Sequence, residues 1–134
     1  MRIIKFRVFV KDENHGDKML EVNELRYHDD GLFIGTESGG IWGKEAELMQ
    51  FTGLLDKNGK EIYESDWVRI RYAELDPTPG IPNQKNEDII PVKWVFGGFN
   101  IGRTILNNEE YEVLGNMFEQ PNLLDDNSEG DIIK

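Results

Sequence analysis

Three acids and two aromatic residues fall close together in Glu61, Tyr63, Glu64, Asp66 and Trp67. Carboxylates paired beside aromatic rings are the working parts of glycoside hydrolysis, where one acid protonates the leaving oxygen and the other attacks or activates water. The same residues also make a charged turn in which Asp66 accepts backbone N–H groups. The turn is the simpler reading, and it leaves these five residues as a candidate binding surface. An enzyme built on Glu61, Glu64 and Asp66 is the less favoured alternative.

The other chemically capable residues are sparse. His15 and His28 are the only histidines, and each sits in a polar turn beside acids. A zinc site needs three or four N, S or O ligands, and the chain has no cysteine to add. Neither histidine has a nucleophile or orienting group nearby in sequence, so general acid–base catalysis is not indicated. Asp12, Glu13 and Asp17, like Asp56, Asn58 and Glu61, lack the spacing and closing Glu of a calcium loop. Gly39-Gly40 and Gly97-Gly98 lack the spacing and following Lys of a phosphate loop. Trp42, Trp67 and Trp94 could stack on bases or sugars, but in a small β protein such rings are core material. No metal, cofactor or catalytic residue is expected, and the chain reads as a non-enzyme.

A chain of 134 residues is one ordinary domain, or two very small ones sharing a core. The absence of cysteine excludes disulfides and fits a reducing compartment. Acidic residues outnumber basic ones by 26 to 15, a formal charge of -11. That balance disfavours binding to a phosphate backbone, which needs clustered Lys and Arg, and it permits basic partners. No apolar run reaches the length of about 7–15 residues of a signal peptide or about 20 of a membrane span. A soluble protein with no membrane partner is expected.

The elements that must hold these residues are strands. In Arg2–Lys11, Ile4, Phe6, Val8 and Val10 alternate with Lys5 and Arg7, as in a half-buried strand. Asp12–Asp17 turns the chain, Met19–Val22 and Leu25–Tyr27 return it, and His28–Gly31 turns it again before Leu32–Ile34. Glu37–Gly40 punctuates once more. Glu47–Thr52 alternates and is expected to stop at Gly53. Asn58-Gly59 is a strong turn signal, because both residues tolerate positive φ. Ile62-Tyr63, Trp67–Tyr72, Ile89–Phe96, Phe99–Ile101 and Tyr111–Phe118 read as further strands. Pro91 puts its strand at an edge. Gly97-Gly98 marks a hairpin, and Gly115-Asn116 a bulge. Ala73–Asp88, with Pro77, Pro79 and Pro82, reads as a long loop that is mobile at its tip. Pro121–Leu124 could form one helical turn.

The fold class is therefore mostly β. An N-terminal β-meander precedes a C-terminal part that is SH3-like or barrel-like, with at most short helical turns. Residues 1–124 form a single domain with a possible sub-boundary near 53–66. Residues 125–134 are an acidic flexible tail.

Four stretches carry a resemblance. They are Arg2–Arg7; Leu48–Leu54 continuing into Asp56–Glu64; Val92-Lys93-Trp94 with Gly97-Gly98-Phe99; and Gly115–Glu119 with Pro121 and Leu123-Leu124. In this order they resemble the YopX family, whose central hallmark is similar to the run from Gln50 to Asp66. Ser65 stands where the family usually has Gly, and Leu55 where Lys is frequent. If that Gly needs positive φ, either Ser65 is strained or the turn differs. The resemblance implies a predominantly β fold, phage or prophage origin and residence in the cytoplasm of a bacterial host. It implies no known activity. The expected partner is a host or phage protein, or a second copy in a homo-oligomer. A nucleic-acid-associated barrel is the alternative, which the charge disfavours.

Overall fold

The computed structural model describes residues 3–71, 87–95, 97–101 and 110–123. It divides into two units, residues 1–53 and residues 54–134. Among the described residues no helix is long and apolar enough to cross a membrane.

The first unit is an antiparallel sheet in which the first four strands form a meander and the fifth returns beside the first. Its strands are β1 (Phe6–Val10), β2 (Lys18–His28), β3 (Gly31–Thr36), β4 (Gly39–Trp42) and β5 (Ala46–Leu55), with a 3-10 turn at Gly43–Glu45 before β5. The order is β4-β3-β2-β1-β5, so β1 is flanked on both sides. Val8 lies opposite Leu20 of β2 and Leu48 of β5. The turn at Asp12 holds because its carboxylate accepts N–H bonds from Asn14 and His15, at 2.9 and 3.1 Å. Thr36 serves the β3–β4 turn likewise, donating its hydroxyl to the Gly39 carbonyl.

Val8, Phe9, Ile34, Met49 and Phe51 are the buried apolar residues of this unit. In β5 the alternation decides the face: Met49 and Phe51 are buried, Leu48 and Gln50 half-buried. In β1 it does not, since neighbouring Val8 and Phe9 are both buried. Ile4, expected on the inner face, is 71% exposed because the ladder starts only at Phe6. The two short strands expected after Asp17 are one long β2, which absorbs an irregularity between Val22 and Glu24 as a register shift. Gly53 does not end β5. It adopts φ +87, which a residue without Cβ tolerates, and the strand runs on to Leu55.

The second unit begins at Leu54, in the last two residues of β5. A tight turn at Asp56–Lys60 leads into β6 (Glu61–Tyr63), β5's neighbour at its far end. β7 (Asp66–Arg71) is the centre of a three-stranded sheet, between β8 (Glu87–Pro91) and β11 (Glu110–Asn116). β9 (Trp94–Val95) and β10 (Gly98–Phe99) form a small hairpin. Ile62, Val68, Ile70, Val92, Phe99 and Ile101 make the core, with Leu54, Ile90, Tyr111 and Val113 packed against it. Each such aliphatic chain, fully buried, is worth about 1.5–3 kcal/mol.

The fold is mostly β, as expected. The barrel-like closure expected of the C-terminal part is absent among the described residues, where the sheets are open. Pro91 sits in an edge strand, and β11 shifts register between Val113 and Gly115, just before the bulge expected at Gly115-Asn116. The strand expected at Ile89–Phe96 is split, because Val92 and Lys93 leave the ladder. Val92 bonds instead to the backbone of Ser65 and Asp66. Most of the loop expected at Ala73–Asp88, and the tail 125–134, lie outside the described residues.

Candidate functional site

The acidic, aromatic run Glu61–Trp67 is partly buried in the second unit. Asp66 is 1% exposed, and its carboxylate accepts the Tyr63 N–H at 2.8 Å. Tyr63 and Trp67 are each 5% exposed, and the Trp67 indole N–H donates to the Gln120 carbonyl at 2.9 Å. Glu61 and Glu64 are half-buried. Of the five residues proposed as a binding surface, Tyr63, Asp66 and Trp67 are thus internal anchors. The physical reason is the turn between β6 and β7. Ser65 N–H donates to the Val92 carbonyl, Val92 N–H to the Asp66 carbonyl and Met117 N–H to the Ser65 carbonyl, all within 2.8–2.9 Å. Ser65 makes these bonds at φ 72, the left-handed backbone that favours Gly.

A second buried carboxylate, Asp56, governs the preceding turn. One of its oxygens accepts the Asn58 and Lys60 N–H groups, at 2.8 and 2.9 Å; the other accepts the Val113 N–H of β11 at 3.0 Å. Burial pushes the Asp56 carboxyl up, but the N–H bonds from Val113, Lys60 and Asn58, with the Lys60 charge, outweigh it and hold the pKa below the usual value. A carboxylate held this way stays ionised and serves the fold as an acceptor; it is poorly suited to donate a proton. Sequence reasoning found the turn but missed its long-range bond to β11, for which the local pattern carries no signal.

His15 lies with Asp12, its ring nitrogen 3.2 Å from the carboxylate, in an exposed turn. Backbone N–H bonds from Asn14 and His15 lower the Asp12 pKa. Among the described residues no group of three His, Asp or Glu is placed to hold a metal ion.

Sequence reasoning did not find the aromatic group on β2, β3 and β4. The register sets Arg26 beside Phe33 and Phe33 beside Trp42, so the three side chains share one face. His28 joins them, and His28, Phe33 and Trp42 meet edge to face, with centroids 5.8–6.3 Å apart. The Arg26 guanidinium lies 5.8 Å from the Phe33 ring centre and pairs with Glu24. The floor is glycine: a Cβ on Gly40 would fall 2.3 Å from Phe33, so the ring occupies the space that a side chain would fill. Trp42 is 37% exposed and His28 is also exposed, which leaves a polar-rimmed aromatic surface facing solvent. Its chemistry is that of contact, through ring faces, an imidazole and a guanidinium–carboxylate pair. The missing signal was cross-strand pairing, since sixteen positions separate Arg26 from Trp42 in sequence.

The described residues form open antiparallel sheets, with buried acids used as turn anchors. The sequence matches the family described as YopX protein over residues 5–125. The chain therefore belongs to the YopX family. A crystal structure of protein EF1440 from Enterococcus faecalis is similar in fold, with a TM-score of 0.50 at 20% sequence identity, covering 92% of this chain and 99% of that one. No curated protein matches the sequence.

Proposed function

We propose that this chain is a phage or prophage accessory protein that works by binding protein in the bacterial cytoplasm, without catalysis. The partner is a host or phage protein, or a second copy of the chain. The observation that carries this reading is the solvent-facing cluster of His28, Phe33 and Trp42 beside Arg26. Aromatic residues and Arg supply much of the energy at protein interfaces: the rings bury large areas with few rotatable bonds, and Arg offers a planar fork of donors. The cluster lies next to the edge of its sheet, at β4, where a further strand could add. The buried, bonded state of Asp56 and Asp66 speaks against the acids as catalysts.

The test is capture from a bacterial lysate together with sedimentation, comparing the wild-type chain with Trp42→Ala. Circular dichroism checks that the variant keeps its fold. A specific partner or a self-associated species that Trp42→Ala weakens at least about tenfold supports the proposal. A monomeric wild type that retains nothing would overturn it. Gel-shift binding of nucleic acid at low salt would replace it with the alternative that the charge of -11 disfavours.

A further inference from the structure

Asn58-Gly59 is the only Asn-Gly pair in the chain. This dipeptide is chemically labile because Gly leaves its own backbone nitrogen unshielded. That nitrogen can attack the Asn side-chain carbonyl carbon. A bond forms from Gly59 N to Asn58 Cγ, the Cγ–Nδ2 bond breaks, and the Gly59 amide proton leaves with the departing ammonia. Water then opens the succinimide at either carbonyl, giving aspartate or isoaspartate.

The folded turn opposes that attack. Three successive amides point at one residue. Asn58 N–H and Lys60 N–H both donate to the same carboxylate oxygen of Asp56, and Gly59 N–H donates to the Asp56 carbonyl at 3.0 Å. The peptide plane that must swing toward Cγ is thus pinned at its own N–H and on both sides. Asp56 is in turn held by the Val113 N–H, so releasing the Gly59 amide means loosening a contact with β11. Asn58 itself is exposed, so its side chain is open to water.

We propose that Asn58 is a spontaneous deamidation site that the native Asp56 turn keeps silent, and that isoaspartate formed there does not return to this turn. Isoaspartate adds a backbone atom between positions 58 and 59, so the Gly59 and Lys60 amides can no longer both reach Asp56. A chain that opens this turn long enough to react, and whose succinimide opens to isoaspartate, cannot rebuild it.

The experiment is a time course of the full chain at mildly alkaline pH, native and in concentrated urea, read by peptide mapping and isoaspartate detection. Asn58→Gln serves as the control. The expected result is modification at Asn58 in urea, absent in Asn58→Gln and slowed at least about tenfold in the native chain, because reaction then waits on local opening. Modified chains returned to native buffer should show less protection of the Val113 amide from hydrogen exchange. Equal rates in the two conditions, an unreactive Asn58 in urea, or unchanged Val113 protection after modification would each overturn the proposal.

Discussion

Ser65 is the one described non-glycine residue at positive φ, and its backbone is fully engaged. The left-handed conformation costs an L-residue with a Cβ roughly 1–2 kcal/mol. Glycine avoids that cost but gives back about 0.5–1 kcal/mol through the freedom it adds to the unfolded chain. The first effect is the larger. Ser65→Gly should therefore stabilise the protein by about 0.5–1 kcal/mol, read as a higher urea midpoint with an unchanged slope. A lower midpoint would mean that the Ser65 side chain makes a compensating contact. The strain was legible beforehand, because the family resemblance marked the position as a glycine site. The burial of Tyr63, Asp66 and Trp67 was not. A run of acids reads as solvated until its partners, Val92, Met117 and Gln120, are seen to arrive from distant parts of the chain.

Turns and strands divide along the same line. Alternation in β5, the Asn-Gly turn, the Gly97-Gly98 hairpin, the edge position of Pro91 and the bulge in β11 were readable because each is a local event. The aromatic cluster was not readable, because it exists only through the register of β2, β3 and β4. The Asp56 turn shows both kinds of information meeting: its local bonds close the hairpin, and its bond to Val113 N–H ties that hairpin to β11. Its pH behaviour follows. The folded pKa lies below the unfolded value of 3.8, so this carboxylate's contribution is complete above that value and is lost as pH falls through the folded pKa. Asp56→Asn puts an amide donor where the carboxylate accepts, and should cost about 1–3 kcal/mol near neutrality. That deficit should begin to shrink as pH falls below 3.8, where the unfolded chain takes up the proton, and should close only below the lower folded pKa, where the folded wild-type acid is protonated too. Urea melts of both proteins from about pH 6 down to about pH 2.5 measure the gap. Asp12→Asn is the needed companion, since Asp12 is also lowered and would titrate in the same range. A gap that stays constant with pH would show that the lost geometry, not the charge, sets the cost.

Across the whole molecule the acidic surplus opposes folding by self-repulsion. The charge of -11 is carried mainly by residues 54–134. Against it stand a few ion pairs, among them Glu112 with Arg69 at 2.7 Å and with Lys57 at 3.3 Å. Pairs this accessible are worth about 0–1 kcal/mol each and weaken with salt. Repulsion spread over many like charges is screened by the same salt, since the screening length falls from about 30 Å at 0.01 M to about 8 Å at 0.15 M. The surplus exceeds the pairs, so screening should help more than it harms. Raising sodium chloride over that range should lift the thermal midpoint by a few degrees, and the second unit should gain most. Single-tryptophan variants retaining Trp42 report on residues 1–53, and those retaining Trp67 on residues 54–134. A midpoint that falls with salt at Trp67 would mean that the Arg69–Glu112–Lys57 group outweighs the repulsion around it, and that the charge excess is a feature of the surface with no cost to the fold.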